Sequence, residues 1–325
     1  MRARRAGPQG RTTPATAGER RTTGPDVWTT GGNLRAPPGV TDRRTARHAR
    51  FVEFLYDRAS PDRPEGTAMT TIRTTGPATR ADTVRTWAVL AAAVLQTVAG
   101  SLGGSGFFGE SQRVLSDRYP SVLAPATIAF SVWSVIYLGL LLYAVYQSLP
   151  GQRSRPVHRA TGWLFVLTAA FNAGWIVIFS REYLGTAQLV ITALLVTLGV
   201  VLWRLTRLPA DGVADRVLVH GPLAFYAGWV SLATVAGFSV TLTYWGAALG
   251  PVTGAVVLLV AVVAVAAVTL RTAAAVPYAA TAVWASAWIA VEASGPVMAV
   301  AAAGTVTLVL AAALRARRGV RPAFG

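Results

Sequence analysis

The chain has 325 residues, of which 53% are hydrophobic and only 14% charged, whereas a soluble domain carries about 25% charged residues. That balance excludes a soluble protein. The absence of cysteine excludes disulfides, thiolate metal sites and cysteine nucleophiles. The formal charge of +16 comes from arginine alone, since no lysine occurs, and this Arg- and Ala-rich usage points to a GC-rich, bacterial coding sequence.

Residues 1–83 hold 15 of the 30 basic residues, together with Thr, Pro and Gly in runs such as Ala36-Pro37-Pro38-Gly39. Such a stretch buries too little apolar surface to offset its ordering entropy, so a disordered tail is expected. No apolar core follows its basic start, so it is not a signal peptide. Met69 offers a second start, which would make residues 1–68 an upstream over-annotation or a dispensable tail.

Beyond the tail, eight segments are long and apolar enough to cross a bilayer: roughly 84–104, 126–149, 160–180, 185–203, 220–243, 251–270, 273–291 and 296–314. The expected organisation is a five-helix bundle over 84–249, three further helices over 250–314 and a basic tail over 315–325. With the N-terminus in the cytoplasm, the inner loops hold Arg153, Arg155, Arg159, Arg204, Arg207, Arg216, Arg271, Arg315, Arg317, Arg318 and Arg321. The outer loops hold only Arg113, Arg118 and Arg181. This bias predicts a multi-pass protein of the bacterial inner (plasma) membrane with both termini cytoplasmic. Topology thus accounts for the positive charge, and no nucleic-acid partner is expected.

Chemistry-bearing residues are scarce. His48, His158 and His220 do not share a helix at metal-ligand spacing, so no metal site is expected. The run Gly100-Ser101-Leu102-Gly103-Gly104 follows no strand and reads as a close helix-packing face, which also makes a homodimer plausible. The one carboxylate read near a span is Glu292, on one helix face with Trp284 and Trp288; an interfacial aromatic belt with a solvated acid beside it is the favoured reading. With no acid/base pair at the midplane, no catalytic residues and no cofactor are assigned.

The aromatic residues say more. Nine of the ten Trp lie beyond residue 84. The second span carries Trp133 and Tyr137 one turn apart, the third Asn172 and Trp175, and the fifth Tyr226, Trp229, Ala233 and Thr234. An Asn in lipid is costly unless paired, so Asn172 should face the bundle interior. Aromatic faces around a cavity would suit a flat, small hydrophobic ligand held by stacking with a few polar contacts.

These residues resemble the tryptophan-rich sensory protein/translocator protein family (TspO/MBR). The resemblance rests on Pro125 followed by Trp133-Ser134-Val135-Ile136-Tyr137, on Asn172-Ala173-Gly174-Trp175, and on Trp229-Val230-Ser231-Leu232-Ala233-Thr234. Gly237 stands where the family usually has Asn, and the spans after residue 250 have no counterpart in the five-helix family. The resemblance implies an all-α bundle binding porphyrin, haem or sterol-like ligands as carrier, sensor or regulator. Its ligand-lining positions are Trp133, Tyr137, Asn172, Trp175, Trp229, Ala233 and Thr234, and Tyr226 joins them from the aromatic pattern of the fifth span. The alternatives are an eight-span secondary transporter of a small apolar molecule and a porphyrin-degrading enzyme.

Overall fold

The computed structural model describes residues 76–325. The tail expected over residues 1–83 lies outside the described residues as far as residue 75, and so does the second start at Met69. Eight long helices follow: α1 (Arg80–Gly104), α2 (Val132–Ser148), α3 (Pro156–Ser180), α4 (Leu184–Arg207), α5 (Gly221–Tyr244), α6 (Pro251–Arg271), α7 (Ala275–Glu292) and α8 (Gly295–Arg317). No strand occurs among the described residues.

Local chemistry sets the helix ends. A capping box opens α1, with the Thr79 hydroxyl accepting from the Asp82 N–H and the Asp82 carboxylate accepting from the Thr79 N–H. Proline stands in the first turn of α3, α6 and α8, where its missing N–H costs nothing. A 3-10 turn, Thr127–Ser131, leads into α2. A π-helical turn, Arg216–His220, leads into α5.

Seven of the helical segments are long and apolar enough to cross a membrane, and α7 is the exception. Eight such segments were expected, and by this measure the one over 273–291 falls short. With 18 residues, α7 reaches about 27 Å at 1.5 Å per residue, and it carries Tyr278, Thr281, Trp284, Ser286, Trp288 and Glu292. It still runs from one face of the bundle to the other. The Ala274 N–H just before it donates to the Pro322 carbonyl, and its Trp288 carbonyl accepts from Ala126 N–H on the opposite face. Because α7 packs against α5, α6 and α8, neighbouring protein takes the place of lipid along much of its surface.

The connections sort into two faces. Arg85 reaches the Arg153 carbonyl and Arg204 the Ala160 carbonyl, while Ala210 N–H bonds to the Gly325 carbonyl, so these loops share the arginine-rich face. On the other face Glu110 N–H bonds to the Ser180 carbonyl, and the Thr243 hydroxyl bonds to the Pro120 carbonyl. Large apolar side chains such as Leu95, Leu138, Leu189, Val260 and Val306 are exposed on the flanks, the pattern of a bundle dissolved in lipid rather than water. This is an all-α polytopic membrane protein.

At the centre lies α5, against α2, α4, α6 and α7. Its Gly228 permits the closest approach, since a Cβ there would collide with the Tyr278 carbonyl and the Thr281 hydroxyl of α7. Beside it Thr281 donates to the Phe225 carbonyl at 2.7 Å, and Ser231 and Tyr278 share a hydrogen bond at 3.0 Å.

Two buried carboxylates were missed by placing the first and fifth spans too short. Asp82 lies inside α1 and receives Arg159 at 2.5 Å and Arg85 at 2.7 Å. Asp215 precedes the π turn and receives Arg155 at 2.5 Å and the Tyr146 hydroxyl at 3.0 Å. Both ion pairs tie helices together at the arginine-rich face.

Candidate aromatic ligand site

Trp133 is the hub of the site. The 3-10 turn delivers Phe130 and Trp133 into the gap between α3 and α5, and four rings pack on the indole. Tyr137 stacks at 5.4 Å between centroids and Trp175 at 6.4 Å, while Trp229 and Tyr226 meet it edge-on at 6.1 and 6.0 Å. Phe130 meets Trp229 at 6.2 Å. Each such pair contributes about 0.5–1.5 kcal/mol beyond its area burial. Asn172, fully buried, donates from Nδ2 to the Tyr137 hydroxyl at 3.3 Å.

The rings therefore converge, but they pack on one another more than they surround a void. A small apolar cavity of about 50 Å³ lies on one side of Trp133 and Trp175, lined also by Phe130, Trp229, Ala233, Gly237 and, from α7, Ala285 and Ile289. On the other side is a half-polar vestibule of about 450 Å³, lined by Gly100, Gly104, Gln112, Arg113, Asp117 and Tyr137. Trp133 and Trp175, with Phe130 and Gln112, border both spaces.

Asn172, Tyr226 and Thr234 line neither space. Asn172 stands behind Tyr137, and Tyr226 is wholly buried against Trp133. The Thr234 hydroxyl returns to the Val230 carbonyl of its own helix at 2.7 Å. Three buried atoms of the cluster lack a protein partner: Asn172 Oδ1, the Tyr226 hydroxyl and Trp229 Nε1. Of these three residues only Trp229 borders either space, so Asn172 Oδ1 and the Tyr226 hydroxyl lie behind the wall of the site rather than on it. Among the described residues no three His, Asp or Glu side chains group where they could hold a metal.

The vestibule is roofed by a short helix, Gln112–Arg118, held by a polar cluster. Arg118 bridges Glu110 at 2.7 Å and Glu182 at 2.5 Å, and the Tyr119 hydroxyl donates to Glu182 at 2.8 Å. The Glu182 carboxylate pushes the Tyr119 phenol above its ordinary pKa. Gly109 lets this connection press on the Ser180 carbonyl, where a Cβ would collide.

Several residues of the site escaped sequence reasoning. The short helix shows no apolar period, and Ala285 and Ile289 sit in an Ala-rich run without a polar marker. Trp284 and Trp288 do not form the expected belt. Trp284 Nε1 turns inward to the Ala129 carbonyl at 3.0 Å, and Trp288 packs edge-on against it at 5.4 Å. Glu292, beyond them, is exposed as expected. Of the Gly100/Gly104 face, Gly100 packs on the Tyr137 ring, while Gly104 has open space before it and Gly103 meets Ile176 instead. Beside Gly237, where the resemblance places an Asn, Gln188 of α4 brings its Oε1 to within 3.0 Å of where a Cβ would stand.

With this geometry in view, a family model described as TSPO-like protein matches residues 83–314. The chain belongs to the TSPO-like protein family. The TSPO-like match continues through α6, α7 and α8, so these helices, expected to have no counterpart, fall inside the family's pattern. No curated protein and no solved structure matches the chain. For a TSPO-like protein the buried aromatic cluster at α2, α3 and α5 fits membrane ligand binding, and Trp87, Trp163, Trp203 and Trp245, all more than half exposed, are the indoles left to anchor the bundle at the interfaces.

Proposed function

We propose that this protein binds a planar hydrophobic ligand of the porphyrin or tetrapyrrole kind at the Trp133 cluster, as a non-enzymatic carrier, sensor or regulator in the bacterial inner membrane. The observation that carries this reading is the meeting of three indoles at two adjoining spaces. The vestibule falls within the roughly 300–1,000 Å³ typical of small-molecule sites, whereas the apolar cavity on its own is too small for a macrocycle. The ring system would therefore lie in the vestibule against Trp133, Trp175 and Tyr137, with its polar edge toward Gln112 and Arg113 and one apolar substituent past Phe130 into the cavity. Burial of the ring would supply most of the affinity, at about 25 cal/mol per Å² of apolar surface. The arginine-rich face would lie on the cytoplasmic side, which puts the vestibule at the outer face.

Titration of the purified full chain with protoporphyrin IX tests this reading. Saturable quenching of Trp fluorescence at micromolar ligand is the expected result, and its absence would remove the assignment.

A further inference from the structure

The three C-terminal helices have so far only been placed. Their middle member touches the site at three levels. Ala285 and Ile289, both at most 2% exposed, line the apolar cavity opposite Trp175 and beside Ala233 and Gly237 of α5. Next to Ala285, Trp284 Nε1 bonds to the Ala129 carbonyl at 3.0 Å, and one turn further on the Trp288 carbonyl accepts from Ala126 N–H at 3.1 Å. The first bond falls on the 3-10 turn that carries Phe130 and delivers Trp133, the second on its N-cap. Below them, Gly228 lets α5 and α7 approach so closely that a Cβ there would collide with the Tyr278 carbonyl and the Thr281 hydroxyl.

We propose that α7 is the fourth wall of the ligand site: Ala285 and Ile289 set what the cavity admits, and Trp284 is a positioning residue that fixes the Phe130–Trp133 turn. The inference rests on the ligand-binding reading above and deepens it. The apolar substituent that enters the cavity must fit against α7, so the site selects for short, thin substituents such as a methyl or vinyl group on the ring edge. A small residue at position 285 is thus part of the recognition surface, because a side chain larger by even a few methylenes would occupy a space of about 50 Å³ outright.

Because the chain has no cysteine, one introduced thiol reports alone. The test uses the full chain in detergent with Ala233→Cys, Ala285→Cys or, on the exposed side of α7, Ala280→Cys, labelled by methyl methanethiosulfonate and read by mass spectrometry. Adding Ala233→Phe to Ala285→Cys should slow its labelling about tenfold or more without any ligand, because both side chains share one small cavity, while Ala280→Cys is unaffected. Ala236→Phe fills the same space if Ala233→Phe fails to fold. Protoporphyrin IX should protect Ala233→Cys and Ala285→Cys alike. Labelling of Ala285→Cys that ignores the filling residue overturns the inference, as does porphyrin protection of Ala233→Cys alone. Porphyrin protection of neither, with the filling effect intact, overturns the porphyrin reading and leaves the fourth wall standing. For Trp284, the readout is the ratio of protoporphyrin IX affinity to thermal midpoint. Trp284→Phe should lower affinity about threefold to tenfold for the loss of one buried hydrogen bond, and Trp284→His, which keeps a ring N–H, should recover part of it. Equal affinity in all three chains would contradict the positioning role.

Discussion

Asp82 and Asp215 show what one carboxylate does at a membrane boundary. Each is at most 2% exposed and faces arginine from another helix. Removing one partner of such a pair strands the other charge in a poorly solvated place, at a cost of about 3–5 kcal/mol. Asp215→Ala should therefore lower the thermal midpoint of the detergent-solubilised protein sharply, whereas Asp211→Ala, at the exposed end of the same cluster, should leave it nearly unchanged. These carboxylates were invisible to a reading that began the first span at residue 84 and the fifth at residue 220, because hydropathy discards charged helix ends. Asn172 was legible, since an amide in the middle of an apolar helix has to be buried and paired. Its partner was not, because the Tyr137 contact depends on how α2 and α3 rotate against each other, and neither sequence encodes that rotation alone.

At the scale of the helix, glycine marks the difference between contact and open space. Gly228→Ala should push α5 off α7, because the colliding atoms are the Tyr278 backbone and a hydroxyl already bonded; about 1–3 kcal/mol of overpacking strain is expected. Gly199→Ala on α4 meets nothing within 4 Å and should be neutral or stabilise by about 0.4–1 kcal/mol. Parallel thermal melts of the two variants decide this, and equal losses would contradict the account. The helices themselves were readable from apolar run length and from Gly250-Pro251 and similar breaks. The weak point was α7, whose Trp, Ser and Thr are tolerated because α5, α6 and α8 enclose it. Its two tryptophans looked like interface anchors from sequence, since a turn-binding indole and a belt indole have the same spacing, and only the path of the Thr127–Ser131 turn separates them.

Over the whole molecule, the arginine bias and the grouping of loops on one face support the proposed orientation, with that face cytoplasmic. Single cysteines at the exposed positions Gly151 and Asp211 should react with an impermeant maleimide only in inverted vesicles, and one at the exposed Ser105 only in intact cells; the reverse pattern would contradict the placement of the site at the outer face. What the molecule as a whole offers is an aromatic wall between a vestibule and a small cavity, so the ligand claim stands or falls on that wall. The most direct measurement is the Soret band shift of protoporphyrin IX on titration into the full chain, compared between Trp133→Ala and Trp163→Ala, which removes an indole facing lipid. Trp163→Ala should bind as the unsubstituted chain does, and Trp133→Ala should lose affinity by about tenfold or more, as expected for the central aromatic anchor of a site. A Soret shift that survives Trp133→Ala unchanged would contradict the account.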